Sequence, residues 1–225
     1  MSFITHWKHT CLGLVAAGLI TASLAAGNVP EGMEKVEIEF PKPVFKGTPK
    51  NPPKDTTAVI STDPRSDFYA PKGVAKLSLH KPVTSSDDEP IIGDVSLITD
   101  GDKEAIDGSY VELGPGLHWV QIDLEKEHEL WAVVIWHYHA DPRIYRDVVV
   151  QVSNDPDFID AKTIFNNDQD NSAGLGVGKD IEYFEGNEGH LVAANGVKAR
   201  YVRLYSQGST ADDQNHYIEV DVYGK

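Results

Sequence analysis

From about Val74 onward, apolar and polar residues alternate in short runs separated by turn-rich loops. "WVQIDL" sets Val120, Ile122 and Leu124 on one face, and "RDVVVQVS" does the same with Val148, Val150 and Val152. "RYVRLYS" offers Val202 and Leu204, and "YIEVDVYG" offers Ile218, Val220 and Val222. A period of two with one apolar and one mixed face predicts antiparallel strands packed sheet against sheet. Helical periodicity of useful length is absent after residue 26, so the pattern predicts an all-β fold, an eight-stranded sandwich or jelly roll.

Between two further strand-like runs, "KTIF" and "DIEYF", residues 166 to 179 form a long glycine-containing connection. Its end, "AGLGVGKD", has the small residues and Gly-Lys pair of a phosphate-binding loop. Such a loop follows a buried strand, opens a helix and carries Ser or Thr after the lysine. Here Asp180 follows Lys179, polar "FNNDQDNS" precedes, and a strand pattern follows, so the glycines are read as turn formers in a long loop.

The chain before Val74 has a different character. Residues 1–26 carry Lys8, an apolar stretch from Cys11 to about Ala22 and small residues at Ser23, Ala25 and Ala26, the pattern of a signal peptide too short for a membrane span. Residues 27–73 read as a proline-rich arm or linker, with seven prolines between Pro41 and Pro71. Within it only "KVEIEF" alternates, as a strand docked on the domain or paired with a partner. Residues 74–225 are then the folded domain. The expected product is secreted or periplasmic, with no membrane span after cleavage.

Cys11 is the only cysteine and lies in the signal, so the mature chain has no thiol for disulfides, zinc thiolates or nucleophilic attack. The formal charge is -15, and losing Lys8 makes it -16, which argues against nucleic acid and anionic membranes as partners.

"LITDGDKEAIDGSYVELGPGLHWVQIDLEKEHELWAVVIW", "YRDVVVQVSNDPDF", "ARYVRLY" and "YIEVDVYG", in this order, resemble the discoidin or coagulation factor 5/8 type C domain over residues 74 to 224. The resemblance implies a galactose-binding-like jelly roll, in agreement with the periodicity. It departs from the family where "DPDFIDAKTIF" replaces the usual tryptophan after the Ser-Asn-Asp turn, and in the long 166–179 loop. A specificity is therefore not transferred.

Asp100, Asp102 and Asp107 fall within one glycine-containing turn, and hard oxygens converging in a loop suit calcium. The resemblance implies a structural calcium here, closed by the terminal-strand glutamate, whose position Glu219 matches. Ordinary Asx turns and a solvated glutamate are the competing reading. Asp168, Asp170 and Ser172 echo the start of an EF-hand loop, but Lys179 stands where the bidentate glutamate belongs.

"WHYHADPRIYRD" joins two apolar strands and concentrates Trp136, His137, Tyr138, His139, Asp141, Arg143 and Tyr145. With His216, the histidines His137 and His139 would supply three imidazoles for a transition metal, though no carboxylate partner is fixed by spacing. A sugar fits the groups better: aromatic faces stack on a pyranose while imidazole, Arg143, Asn167, Asn215 and His216 reach its hydroxyls. Equally open is the reading in which Trp136 and Tyr145 are core and Arg143 pairs with Asp141. No nucleophile elbow or marked acid–base pair is present, so the expectation is a non-enzymatic module binding a glycan or polysaccharide, or alternatively a protein partner in an extracellular assembly.

Overall fold

The computed structural model describes residues 29, 31–45, 49, 52–61 and 63–225. The signal-peptide reading lies outside these residues. Among the described residues ten strands form: β1 (Met33–Lys35), β2 (Tyr69–Pro71), β3 (Ala75–Lys76), β4 (Val83–Ser85), β5 (Val111–Leu113), β6 (His118–His137), β7 (Val149–Ser153), β8 (Lys162–Asn166), β9 (His190–Ser206) and β10 (Asn215–Gly224). A single 3-10 turn, Val95–Thr99, opens with the Asp94 side chain accepting from the Ser96 amide. All pairings are antiparallel, in the order β3-β10-β6-β9-β7-β8, with β4 on β6 and β5 on β10.

The two long strands build the sandwich by bending. Residues 118–123 of β6 pair with 201–206 of β9 and with β4, whereas 130–137 pair with 190–197 and with β10. Register breaks at Asp123/His128 and Leu130/Ala132 separate the halves, and Glu125, Asn195 and Gly196 take positive φ at the bends. The breaks also change which residues face inward. Val120, Ile122 and Leu124 join the main core before the bend, and Leu130, Val133 and Ile135 after it. Facing them are Val148, Val150, Val152, Val202, Leu204, Val220 and Val222, as the alternation predicted.

Ile218 departs from its predicted face. A bulge between Tyr217 and Glu219 puts Tyr217 into the main core and Ile218 into a second cluster on the other side of the sheet. That cluster holds Ala132, Val134, Trp136 and Tyr223, and the arm covers it with Val36 and Ala70, supported by Ile38 and Phe68. The predicted strand "KVEIEF" is not formed beyond Lys35: β1 ends there, paired with β2 within the arm, and the chain then continues without a strand, the Val36 amide donating to the Phe68 carbonyl. Further arm contacts run from Arg65 to Glu188, from Thr56 and Thr57 to Glu182, and from the Lys103 ammonium to the Glu39 carbonyl. Residues 181–184 of "DIEYF" form no strand; this segment lies across the loop end, where the Glu185 amide donates to the Arg143 carbonyl.

Candidate functional site

At one end of the sandwich, the connection after β6, the turn before β5 and the loop before β10 come together. Trp136 is fully buried in the second cluster, with its indole N–H on the Asn187 carbonyl (2.9 Å) and the Lys103 ammonium 4.4 Å above its ring. His137 is also fully buried, its Nδ1 2.8 Å from Glu185 Oε1 and its ring stacked on Tyr145 at 4.4 Å. His139 reaches the Lys103 carbonyl (3.0 Å). Tyr145 is buried and shares a hydrogen bond with His216 Nδ1 (2.9 Å), whose Nε2 faces Glu112 at 3.2 Å. Burial lowers the His216 pKa. Each imidazole thus has its own partner, and the three do not form a common metal centre.

Asn215 and Asn167 act as loop brackets. The buried Asn215 side chain accepts from Ser206 and the Gly208 amide and donates to the carbonyls of Gly114 and Gly116. Asn167 Oδ1 accepts from the Val148 amide (2.7 Å). Neither side chain opens onto the patch formed by the tyrosines.

Nearer the surface, Tyr138 and Tyr110 are partly exposed, with the buried Arg143 and His216 behind them. Tyr138 is half-buried and meets Tyr110 edge-on at 5.2 Å. The Arg143 guanidinium lies 4.8 Å over the Tyr138 ring and is held by two parallel bonds to Asp141 (2.7 and 2.8 Å) and a third to Asp212 (3.0 Å). His216 lies 5.8 Å from both tyrosine rings. Tyr110, Glu112 and Asp212 were missed from sequence, because they stand in ordinary strand and loop contexts without clustering along the chain. The result is a pair of half-buried tyrosine rings backed by a guanidinium and an imidazole that are only 7% and 6% exposed, an aromatic edge that can stack on an apolar ring face.

The carboxylates of the Asp100 turn behave differently from one another. Asp102 accepts from the Glu104 amide and the Ser109 hydroxyl, Asp100 accepts from the Asp102 amide, and Asp107 is exposed. Glu219 lies outside the main core but is fully buried rather than solvated, and its Oε2 accepts from the Gly101 amide (3.1 Å), which ties this turn to β10. Its Oε1 is buried without a hydrogen-bond partner. Burial, then the charge of Asp221, pushes the Glu219 carboxyl up to about 9 against the Gly101 bond. Asp221 is answered by the ammonium groups of Lys76 (2.7 Å) and Lys103 (2.8 Å). Among the described residues, the carboxylate or imidazole trio with ligand atoms within 4.8 Å of one another is instead Asp147, Asp168 and Asp170.

No family model and no curated protein matches the sequence. Solved structures do match the fold. Chitosan-binding module 1 from the chitosanase/glucanase of Paenibacillus sp. IK-5 is similar at 19% identity and a TM-score of 0.50, over 67% of this chain and 99% of that one. A family 89 glycoside hydrolase from Clostridium perfringens gives 20% and 0.50 over 67% of this chain, but the match spans only 14% of the hydrolase. Truncated AlyQ, with CBM32 and alginate lyase domains, gives 16% and 0.50 over 68% of this chain and 34% of its own. The bent-strand sandwich and these matches agree that the chain has the discoidin-type, galactose-binding-like jelly-roll fold.

Proposed function

We propose that the chain is an exported, non-catalytic carbohydrate-binding module whose glycan lies on the patch of Tyr110, Tyr138, Arg143 and His216. The observation that carries this reading is the pair of surface tyrosines with a guanidinium fixed over one of them, at a loop end of a fold shared with a chitosan-binding module. Binding needs no rearrangement of Arg143, since three bonds already set it. Non-catalysis is supported by the burial of the shortest imidazole–carboxylate pair: His137 and Glu185, 2.8 Å apart, are sealed from solvent and do not reach a glycosidic bond. Among the described residues no helix is long and apolar enough to cross a membrane.

A structural calcium ion belongs to the same proposal. The buried, unpartnered Glu219 oxygen suits a cation, and Asp100 and Asp102 flank Gly101, whose amide donates to the other Glu219 oxygen. Its role would be to hold the turn to β10.

The test is a glycan array of neutral, acidic and amino polysaccharides, followed by calorimetry on wild type and Tyr138→Ala. Loss of one stacking ring is expected to weaken binding about 3- to 10-fold, equivalent to about 0.6–1.4 kcal/mol, in a variant that still melts cooperatively as a folded protein. Silence across the array, or full affinity in Tyr138→Ala, would overturn the assignment of this patch.

A further inference from the structure

The "NNDQDNS" loop plays no part in the tyrosine patch, yet it is tightly built. Both of its ends return to the residues just before β7: Asn167 accepts from the Val148 amide, and the Ser172 hydroxyl donates to Asp147 (2.7 Å). The Asp168 carboxylate is bracketed by the amides of Ser172 (3.1 Å) and Ala173 (2.9 Å), while Asp170 accepts from the Ser172 amide (3.0 Å). These bonds hold the carboxylates of Asp147, Asp168 and Asp170 within 4.8 Å of one another.

Three carboxylates at that spacing repel one another unless a positive charge lies among them. The adjacent Arg146 lines the same cleft and offsets part of this charge, but its hydrogen bonds go to Glu182 (2.5 Å) and Asp55 (3.4 Å), not to the three carboxylates.

A second feature of the same place also points to an occupant. A cleft of about 410 Å³ opens over the cluster, and Asn167 lines it beside Asp147, Asp170 and Ser172. Asn167 is 4% exposed, and its bond from Val148 fixes which side-chain atom is oxygen. The amide nitrogen is left buried with no acceptor in the protein. A buried donor of this kind requires an oxygen, as a cation's outer ligands or shell water would supply.

We propose that Asp147, Asp168 and Asp170 form a calcium-binding site whose remaining oxygen ligands occupy the cleft beside Asn167. The donor set contains only oxygen, which selects a hard divalent cation over zinc or copper. Loop-borne carboxylates of this kind tolerate calcium's larger, variable shell better than the tight octahedron of magnesium. The sequence echo of an EF-hand loop is therefore half right in this reading: Asp168 and Asp170 come from the loop, but the third carboxylate arrives from the start of β7 rather than from a glutamate at the position of Lys179. The site is separate from the Glu219 turn and from the tyrosine patch, and stands or falls without either.

The test uses the mature full-length chain, stripped with EDTA, dialysed and titrated with CaCl₂ alone by calorimetry. Asp170 is exposed, and in Asp170→Asn the amide oxygen still accepts from Ser172, so this variant should melt like wild type in EDTA. Removing one of three charged ligands is expected to weaken the calcium event about tenfold or more, because affinity follows ligand charge. Asp147→Asn should reproduce the loss, and Glu219→Gln should leave the event in place. If either aspartate variant unfolds in EDTA, the other carries the comparison. Calcium isotherms for Asp170→Asn or Asp147→Asn that superimpose on wild type would overturn the proposal. So would a wild type whose entire calcium heat vanishes in Glu219→Gln.

Discussion

Replacing Gly189 by alanine tests whether Trp136 belongs to the buried second cluster or to a sugar platform. Gly189 sits at φ 65°, where its missing side chain faces the indole: a Cβ would lie 2.6 Å from Cε2 and 2.9 Å from both Cδ2 and Nε1 of Trp136. The ring cannot retreat easily, since it is fully buried and its N–H is bonded to Asn187. Two costs add. A non-glycine residue in the left-handed region costs about 1–2 kcal/mol. Displacing a close-packed ring costs about 1–3 kcal/mol more. The expected destabilisation is then roughly 2–5 kcal/mol, or about 4–20 °C in Tm for a domain of this size.

Gly186 supplies the control. It lies three residues earlier in the same segment, with no atom within 4 Å of a built Cβ and no positive φ. Gly186→Ala is expected to stay within about 0.5 kcal/mol of wild type. Thermal melts and urea curves of the two variants decide the matter, provided that the urea m-value is unchanged. If Gly189→Ala melts with Gly186→Ala, Trp136 is not packed against this segment, and its exclusion from ligand binding fails with it.

Two further outcomes are expected. In EDTA, stability should fall as pH rises from about 6.5 toward 9: Glu219, raised from 4.5 to about 9, keeps a proton that the unfolded state has lost, while below about 6.5 His190, which burial lowers to about 3, gives an opposing slope that offsets it. Calcium should flatten the decline and Glu219→Gln should abolish it; Tm measured against pH with and without the ion checks both, and a wild-type profile indifferent to calcium would remove the ion from this turn. Deleting residues 27–72 should lower Tm and raise binding of a hydrophobic dye, because Val36 and Ala70 are buried over Val134, Trp136 and Ile218. Covering each large side chain contributes about 1.5–3 kcal/mol, so an unchanged melt would show that the arm does not cover this face.

The arm's docking explains both what the sequence disclosed and what it hid. Strands with one covered face showed themselves by alternation, and Val120, Ile122, Val202 and Leu204 fall inside as that pattern requires. Ala132 to Trp136 do not alternate. "AVVIW" is continuously apolar because Val133 and Ile135 enter the main core while Ala132, Val134 and Trp136 meet the arm behind it. A run of this kind is the mark of a strand buried on both sides. The run therefore implied a cover for the second face, and "KVEIEF" was the alternating stretch available to form one. The bulge at Ile218 left no comparable trace, since an extra residue changes the facing pattern without changing composition.

The same two-sided burial accounts for the division among the aromatic and histidine residues. A side chain at the end of β6 is recruited by whatever covers that face: Trp136 by the arm side, His137 by Glu185 and Tyr145 on the core side. Only where β6 ends and the chain turns does a ring escape, and Tyr138 is the first residue past the strand. Its partners Tyr110 and His216 then come from β5's approach and from β10, which pair directly through His216 and Glu112. Sequence proximity could gather the residues of one loop, but not these three, because the patch is assembled by strand register rather than by spacing along the chain. For the same reason the acidic trio joins Asp168 and Asp170 to Asp147 across the β7–β8 ladder, where Val149 opposes Asn166. A mutation that shifted this register by one residue would separate Asp147 from the loop carboxylates while leaving every residue in place in the sequence.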